Sequence, residues 1–573
     1  MSHRRRPRRV LGLVASAAVL VAAGLAVALP TAPGDRGAAQ AAAGDGTGAI
    51  SVAGSVAGDD WSLPAGTTAA PGAGFFSERA DPSRHVDVHA VDVTWRMLEP
   101  AEDDYHDDLA GRAQDLDLAP LAEQLAVPGR YWLRVWLTNV RWAPRWVVDD
   151  CGLEVAGTDE DGGRHLPIWN ACFWGHAVDL YRHLFEDLGI ADDPDLVLAY
   201  VPGGFAWSEF DFDVVDQAVA AGDLTVPAFV AWFHQMVADL TGLMGTQAAK
   251  LVYTGEDHPF ASLGTADDLL ARYAVEHGMG VRTGISELSN FHLNEVPAYG
   301  TTIGDDGHLV TDEDWVLRDP GRISAAEHEC YLDCGFDTDE LGYAIRQSNL
   351  HALAALRTNW LYVVPHDSYL DRFSAHWRWV RLSLGRTAST SADAWVALRR
   401  ATDEYWADED TADEAGVDWT GRPVVRDLER WVRQLEQAPG CRGRRGSEVH
   451  VGVLAPENGV AREGRRTDAA GGQPHLCFAV DDAFVAPTGE ADLDVLVTYV
   501  DRGRGSFVLT VAGAEGRLRS PEVALTDSGR RRTVRFHVDG GRLDASLPGG
   551  ADLRLTRVRG ADVDVQFVRV VKP

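Results

Sequence analysis

The sequence predicts an α/β chain in which a (β/α)8 TIM barrel is followed by an all-β sandwich. Three observations carry this reading. Strand-like runs alternate with helical runs up to about residue 400. From about residue 445 strand periodicity continues alone. All 18 tryptophans fall between Trp61 and Trp431, so the composition changes where the periodicity does.

The chain opens on arginines in "MSHRRRPRR", an apolar run from Val10 to Leu29, and a small-x-small "AQA" at Ala39, Gln40 and Ala41. Residues 1–41 therefore read as a signal peptide or an uncleaved N-terminal anchor, which makes the protein secreted or extracellular, tethered if the segment stays. Membrane contact is expected only in the tethered case. Removing the segment takes away six arginines and one aspartate, which moves the formal charge from -33 to -38. Residues 42–64, rich in Gly, Ala and Ser, read as a flexible lead-in.

The barrel is placed at residues 65–400. Its strands are read at "GAGFF", "HVDVHAVDVTW", "YWLRVWLTNV", "DLVLAYVPGGFAW", "AAKLVYTG", "MGVRTGI", "RISAAEHECYLD" and "NWLYVVPH". An open doubly wound sheet would instead want a glycine-rich first turn, which is lacking. Residues 401–444 form a connector in which "DLERWVRQLEQ" is expected to be a helix. Residues 445–573 form the sandwich, with runs such as "DLDVLVTYV" and "VDVQFVRVV" separated by Gly, Asp and Ser turns. That part holds one tyrosine, Tyr499, and no tryptophan, so a structural or docking role is favoured over sugar stacking.

An excess of 86 acidic over 53 basic residues argues against nucleic acid as a partner. No phosphate-cradling loop, H-E-x-x-H or G-x-S-x-G is present, and the six cysteines lack zinc-like spacing. No nucleotide, cofactor or metal is implied. In an oxidising compartment the cysteines are expected to form disulfides, with the pairing left open.

In a barrel, reactive groups stand at the C-terminal strand ends. Two strands lead to carboxylates there: the fourth to Glu209, and the seventh to Glu327 and Glu329. Glycosidic cleavage needs such a pair, one group to protonate the leaving oxygen and the other to attack the anomeric carbon. Phe205, Trp207 and Phe210 around Glu209 suit it to be the acid. Glu327 is preferred as its counterpart, with Glu329 as alternative nucleophile or subsite residue, since the two share one face of an extended strand. Trp95, Trp142, Trp146, Trp169, Trp174 and Trp207 gather at strand ends or in the loops after them, where a ring can stack on a sugar or anchor a loop. Arg96 and Arg134 are candidates for holding a substrate hydroxyl or orienting a carboxylate, and His366 for donating to a sugar hydroxyl.

The segments "VDVTWRMLEPAEDDYHD", "YWLRVWLTNVRWAPRWV" and "LPIWN", with "FAWSEF" and "AAEHECY" on the fourth and seventh strands, resemble clan A glycoside hydrolases, in particular the β-galactosidase-like group, over about residues 85 to 380. The resemblance implies a TIM barrel acting on an oligo- or polysaccharide by retention, with Glu209 as acid/base and Glu327 as nucleophile. The sequence departs from the pattern at Ser208, where many members carry an asparagine that holds the sugar 2-hydroxyl. The other class the same aromatics support is a non-catalytic extracellular glycan-binding protein on a TIM barrel.

Overall fold

A computed structural model describes residues 48–78, 83–86, 88–159, 162–201, 212–254, 270–285, 296–304, 306–328, 341–363, 367–399, 427–445, 449–450, 461–462 and 464–573. Eight parallel strands close into a barrel in which sequence neighbours are spatial neighbours. They are β1 (Gly74–Phe76), β2 (Val88–Thr94), β3 (Arg130–Trp136), β4 (Leu196–Tyr200), β5 (Leu251–Thr254), β6 (Gly280–Ile285), β7 (Ser324–His328) and β8 (Trp360–Val363). Seven lie within the expected runs, and β3 begins one residue ahead of its run, at Arg130. The short "GAGFF" strand closes the barrel as β1, pairing Phe75 with Leu361 of β8 and Phe76 with Val88 of β2.

These strands are apolar on both faces because one face fills the barrel and the other receives helices. Phe76, Val88, Ala90, Trp132, Leu198, Val252, Ala325 and Trp360 form one buried cluster inside the barrel. Their alternation with outward residues follows the pleat. Gly74 makes room for the largest of them, since a Cβ there would stand 3.1 Å from the Trp360 ring.

Outside the barrel the helices start where their caps stand. Asn170 accepts from the backbone N–H of Cys172 and Phe173 and opens helix Ala171–Arg182. Thr225 caps helix Val226–Met244, with proline in the first turn. The disulfide Cys151–Cys172 ties the end of helix Arg145–Asp150 to the start of Ala171–Arg182. A second disulfide, Cys441–Cys477, lies in the following domain. Cys330 and Cys334 lie outside the described residues.

The second domain is a large antiparallel sheet folded over itself. Strand Ala491–Val500 pairs with Arg531–Arg542 and Asp564–Val571, and Asp393–Ala397 adds outside the latter. The opposing layer places Arg504–Gly513 beside Leu553–Gly560 and then His475–Val480. The layers meet along a corner where Ala512 and Gly513 face Arg542 and Gly541. Val495, Val497, Phe507, Leu509, Phe536 and Val568 share the core between them.

Two stretches differ from the sequence reading. Within the expected lead-in, Ala49–Ala57 is a strand that pairs antiparallel with Arg531–Arg542. Main-chain pairing needs no bulky side chains, and the 12-residue Arg531–Arg542 offers an edge to cover. Ile50 is buried at the join, and Gly54, at φ +99°, sits where the register shifts between Val52 and Ser55. Within the connector, the expected helix is replaced by strands Leu428–Arg430 and Val432–Gln434, which pair with Asp393–Ala397 and His475–Val480. The spacing of Leu428, Trp431, Val432 and Leu435 is helical, but partner strands on both sides outweigh it. Trp431, at φ +61°, breaks the run between the two strands.

Barrel and sheet domain are joined through a buried charge. Asp393 accepts from Arg569 Nη2 at 2.6 Å, Arg569 Nε at 2.9 Å and Trp379 Nε1 at 2.8 Å. Arg569 also donates to the carbonyls of Asp60 and Ser62, so one guanidinium holds a barrel helix, the sheet and the N-terminal segment together. Trp61, Trp379, Trp395 and Phe567 pack around it. Removing one partner of such a pair strands a buried charge. Asp393→Ala should therefore lower unfolding free energy in urea by about 3–5 kcal/mol, while Asp393→Ala with Arg569→Met should recover most of that loss.

Candidate functional site

Period-two alternation carries the inward face of each strand from the apolar layer to a polar one at the C-terminal mouth. Above Ala90, Trp132 and Ala325 stand Asp92, Arg134 and Glu327. Arg282 follows Gly280 on β6, Tyr362 follows Trp360 on β8, and Glu78 comes two residues after Phe76. Asp92 faces Arg134 directly across β2 and β3, and Glu327 faces Tyr362 across β7 and β8.

These groups form two charged knots. Arg134 Nε donates to Asp92 at 2.6 Å and Nη1 to Glu78 at 2.9 Å. Trp136 Nε1 gives Asp92 a further hydrogen bond at 2.8 Å. The Arg134 guanidinium lies 4.5 Å from the Trp136 ring and 5.1 Å from the Trp132 ring. Burial works against the Arg134 charge, but Asp92 and Glu78 outweigh it and hold its pKa well above the ordinary value. In the second knot Arg282 Nη1 contacts Glu327 Oε2. Both residues are at most 2 % exposed, and the Arg282 guanidinium lies 5.2 Å from the Tyr200 ring and 6.0 Å from that of Tyr362.

The candidate residues read from the sequence are distributed as follows. Glu327 and Arg134 stand in the polar layer at the mouth. Glu209, its neighbours Trp207 and Ser208, Glu329 and His366 lie outside the described residues. Trp95 is fully buried, donates Nε1 to Glu99 at 2.8 Å and packs edge-on against Phe173 and Trp146, so its ring is occupied by core. Trp174 donates to Asp239 at 2.8 Å and packs on Trp232 of helix Val226–Met244. Trp169 is half-buried beside Phe229. Trp146 is half-buried and donates to the Glu99 carbonyl at 3.1 Å. Trp142 is buried edge-on against Trp136, and with Arg96 it lines a cavity of about 700 Å³ over the ends of β2 and β3. Arg96 is anchored by hydrogen bonds to the carbonyls of Ala143 and Val140.

Sequence reasoning missed Asp92, Glu78, Arg282 and the two tyrosines. The signal was available: one step of two along the chain from Phe76, Ala90, Leu198, Gly280 and Trp360 reaches Glu78, Asp92, Tyr200, Arg282 and Tyr362. It also missed Glu99 of "LEP", a 2 % exposed carboxyl whose pKa burial raises against the hydrogen bonds from Trp95 and the Asp103 N–H.

Among the described residues one group has ligand types and spacing for a metal: Asp150, Cys151, Cys172 and His176. Its two sulfurs are joined to each other in a disulfide and offer no thiolate. The polar layer itself is charge-paired, with two guanidiniums against three carboxylates.

No family model and no curated protein matches the chain. Among solved structures, pullulanase type I from Bacillus subtilis str. 168, complexed with maltose, matches with a TM-score of 0.30 and 10% identity over 84% of this chain and 72% of that one. This is a distant likeness of architecture and assigns neither clan nor family.

The layer predicts its own fragility. Arg134→Met removes the counter-charge of the buried Asp92 and the half-buried Glu78 and should cost about 3–5 kcal/mol by chemical denaturation. Arg134→Lys keeps a charge but not the fork that reaches Asp92 and Glu78 together, so it should fall between wild type and methionine.

Proposed function

We propose that the protein is a secreted, retaining glycoside hydrolase that cleaves a β-linked glycoside with two carboxylates. The observation that carries the reading is Glu327, inward-facing at the C-terminal end of β7 in a closed barrel and held against Arg282. A guanidinium in contact favours the carboxylate anion, which is the form that attacks an anomeric carbon.

Glu209, nine residues beyond the end of β4, is the partner by chain order. In the first step Glu209 gives its proton to the leaving oxygen as a Glu327 oxygen bonds to the anomeric carbon. In the second, Glu209 takes a proton from water, the water oxygen bonds to that carbon, and Glu327 leaves as the anion. Tyr362, opposite Glu327 in register, is placed to steady that carboxylate. Two disulfides among the described residues fit an oxidising compartment and so the reading of residues 1–41 as a secretion signal.

The charge-paired layer also favours a second reading. A carboxylate engaged by arginine can simply fill a barrel, which is what a non-catalytic glycan-binding protein would need. A panel of chromogenic glycosides and polysaccharides separates the two. The hydrolase reading expects turnover on at least one β-linked substrate, a loss of about a thousandfold or more in kcat for Glu327→Gln, and a Tm that shows the variant folded. Binding without turnover across the panel, or a Glu327→Gln variant as active as wild type, would favour the binding protein.

A further inference from the structure

The cavity over β2 and β3 is lined by four arginines, Arg96, Arg112, Arg141 and Arg164, and by no carboxylate among the described residues. That runs against the composition of a chain whose acidic residues outnumber the basic ones 86 to 53. All four arginines are exposed. Arg112 reaches Asp117 only at 3.7 Å, with both side chains mostly in water, a contact too weak to neutralise it. Arg96, Arg141 and Arg164 have no carboxylate partner among the described residues.

The walls are built rather than incidental. Asn139 Oδ1 accepts from the Arg141 backbone N–H at 3.0 Å, and the Val140 N–H donates to the Arg164 carbonyl at 3.0 Å. The hairpin that presents Arg164 is latched by a buried chain: Thr138 Oγ1 lies 2.9 Å from His165 Nδ1, and His165 Nε2 lies 2.7 Å from Asp159. Burial outweighs Asp159 and keeps the His165 pKa below its ordinary value, so the neutral ring donates to Asp159 and accepts from Thr138. Gln114, also in the lining, is buried at Nε2, which has no hydrogen-bond partner among the described residues.

A neutral sugar offers hydroxyls that donate as well as accept, and a site for it mixes carboxylates with donors. This cavity offers the guanidinium forks of Arg112, Arg141 and Arg164, with the Arg96 charge held beside them on the Ala143 and Val140 carbonyls, a donor-rich lining that suits a ligand that only accepts. We propose that it is a subsite for an anionic group on the glycan, a uronate carboxylate or a sulfate ester, so that the substrate is an acidic rather than a neutral oligosaccharide. This deepens the hydrolase reading and rests on it for the glycan: Arg96 lies two residues past β2 and Arg141 five past β3, on the face where Glu327 stands. A volume of about 700 Å³ lies within the range of small-ligand sites.

The test is calorimetric titration of the secreted chain with three oligosaccharides of equal length, one neutral, one bearing uronates and one bearing sulfate esters. At least one acidic ligand should bind about tenfold or more tightly than the neutral one. Arg141→Gln and Arg164→Gln should each cost about tenfold of that affinity and together about a hundredfold, leaving the neutral ligand unchanged. Whichever acidic ligand responds identifies the group.

Equal binding of all three ligands, or an acidic preference that survives the double substitution, would overturn the proposal. So would inorganic sulfate competing at the same concentration as the oligosaccharide, since the cavity would then read a bare anion. Arginine-dependent acidic binding without turnover leaves this inference standing and defeats the hydrolase reading. Turnover of neutral substrates with no acidic preference does the reverse.

Discussion

The constraint on which the site depends is the burial of four charges, Asp92, Arg134, Arg282 and Glu327, in one layer at the barrel mouth, with Glu78 half-buried beside them. Below it the barrel is filled by Trp132, Trp360, Phe76 and smaller apolar residues. Charges set directly on such a floor lose their water, and only mutual pairing makes that tolerable. Arg134 answers Asp92 and Glu78, and Arg282 answers Glu327. The tryptophan and tyrosine faces beneath and beside the guanidiniums supply weaker attraction where no carboxylate reaches. In this arrangement Glu327 is not a surface acid with a choice of rotamers. Its position is dictated by β7 and by the arginine on β6, the preorganisation that the proposed chemistry needs.

The same device recurs away from the site. Arg569 and Asp393 are paired, buried and surrounded by Trp379, Trp395 and Phe567 where barrel and sheet meet. A buried pair of this kind contributes little net stability but penalises any arrangement that separates strand Asp393–Ala397 from Asp564–Val571. Because Arg569 also binds the carbonyls of Asp60 and Ser62, the N-terminal segment is fixed by the same contact.

What was legible in the sequence follows from which signals are local. The eight barrel strands could be read because each is a short apolar run and most stand ahead of a helical one, and Glu327 because it ends such a run. Ala49–Ala57 was hidden because its pairing is owed to Arg531–Arg542, nearly 500 residues away, and not to its own side chains. Residues 428–434 misled because Leu428, Trp431, Val432 and Leu435 carry helical spacing while their partners lie on two distant strands. Arg282 escaped notice within "MGVRTGI" because a charge inside an apolar run reads as solvent-facing until a carboxylate is placed beside it. The arginine cavity is assembled from four separate segments in the connections after β2 and β3, and no window of sequence shows it.

The account's central claim is that Glu327 is the carboxylate that bonds to the sugar, and covalent trapping tests it most directly. The protein would be treated with a 2-deoxy-2-fluoro glycoside of a substrate found in the panel, digested, and the labelled residue located by mass spectrometry. The account predicts one label per chain, on Glu327. A label on Glu329 or on any other residue, with Glu327 unmodified, would contradict it.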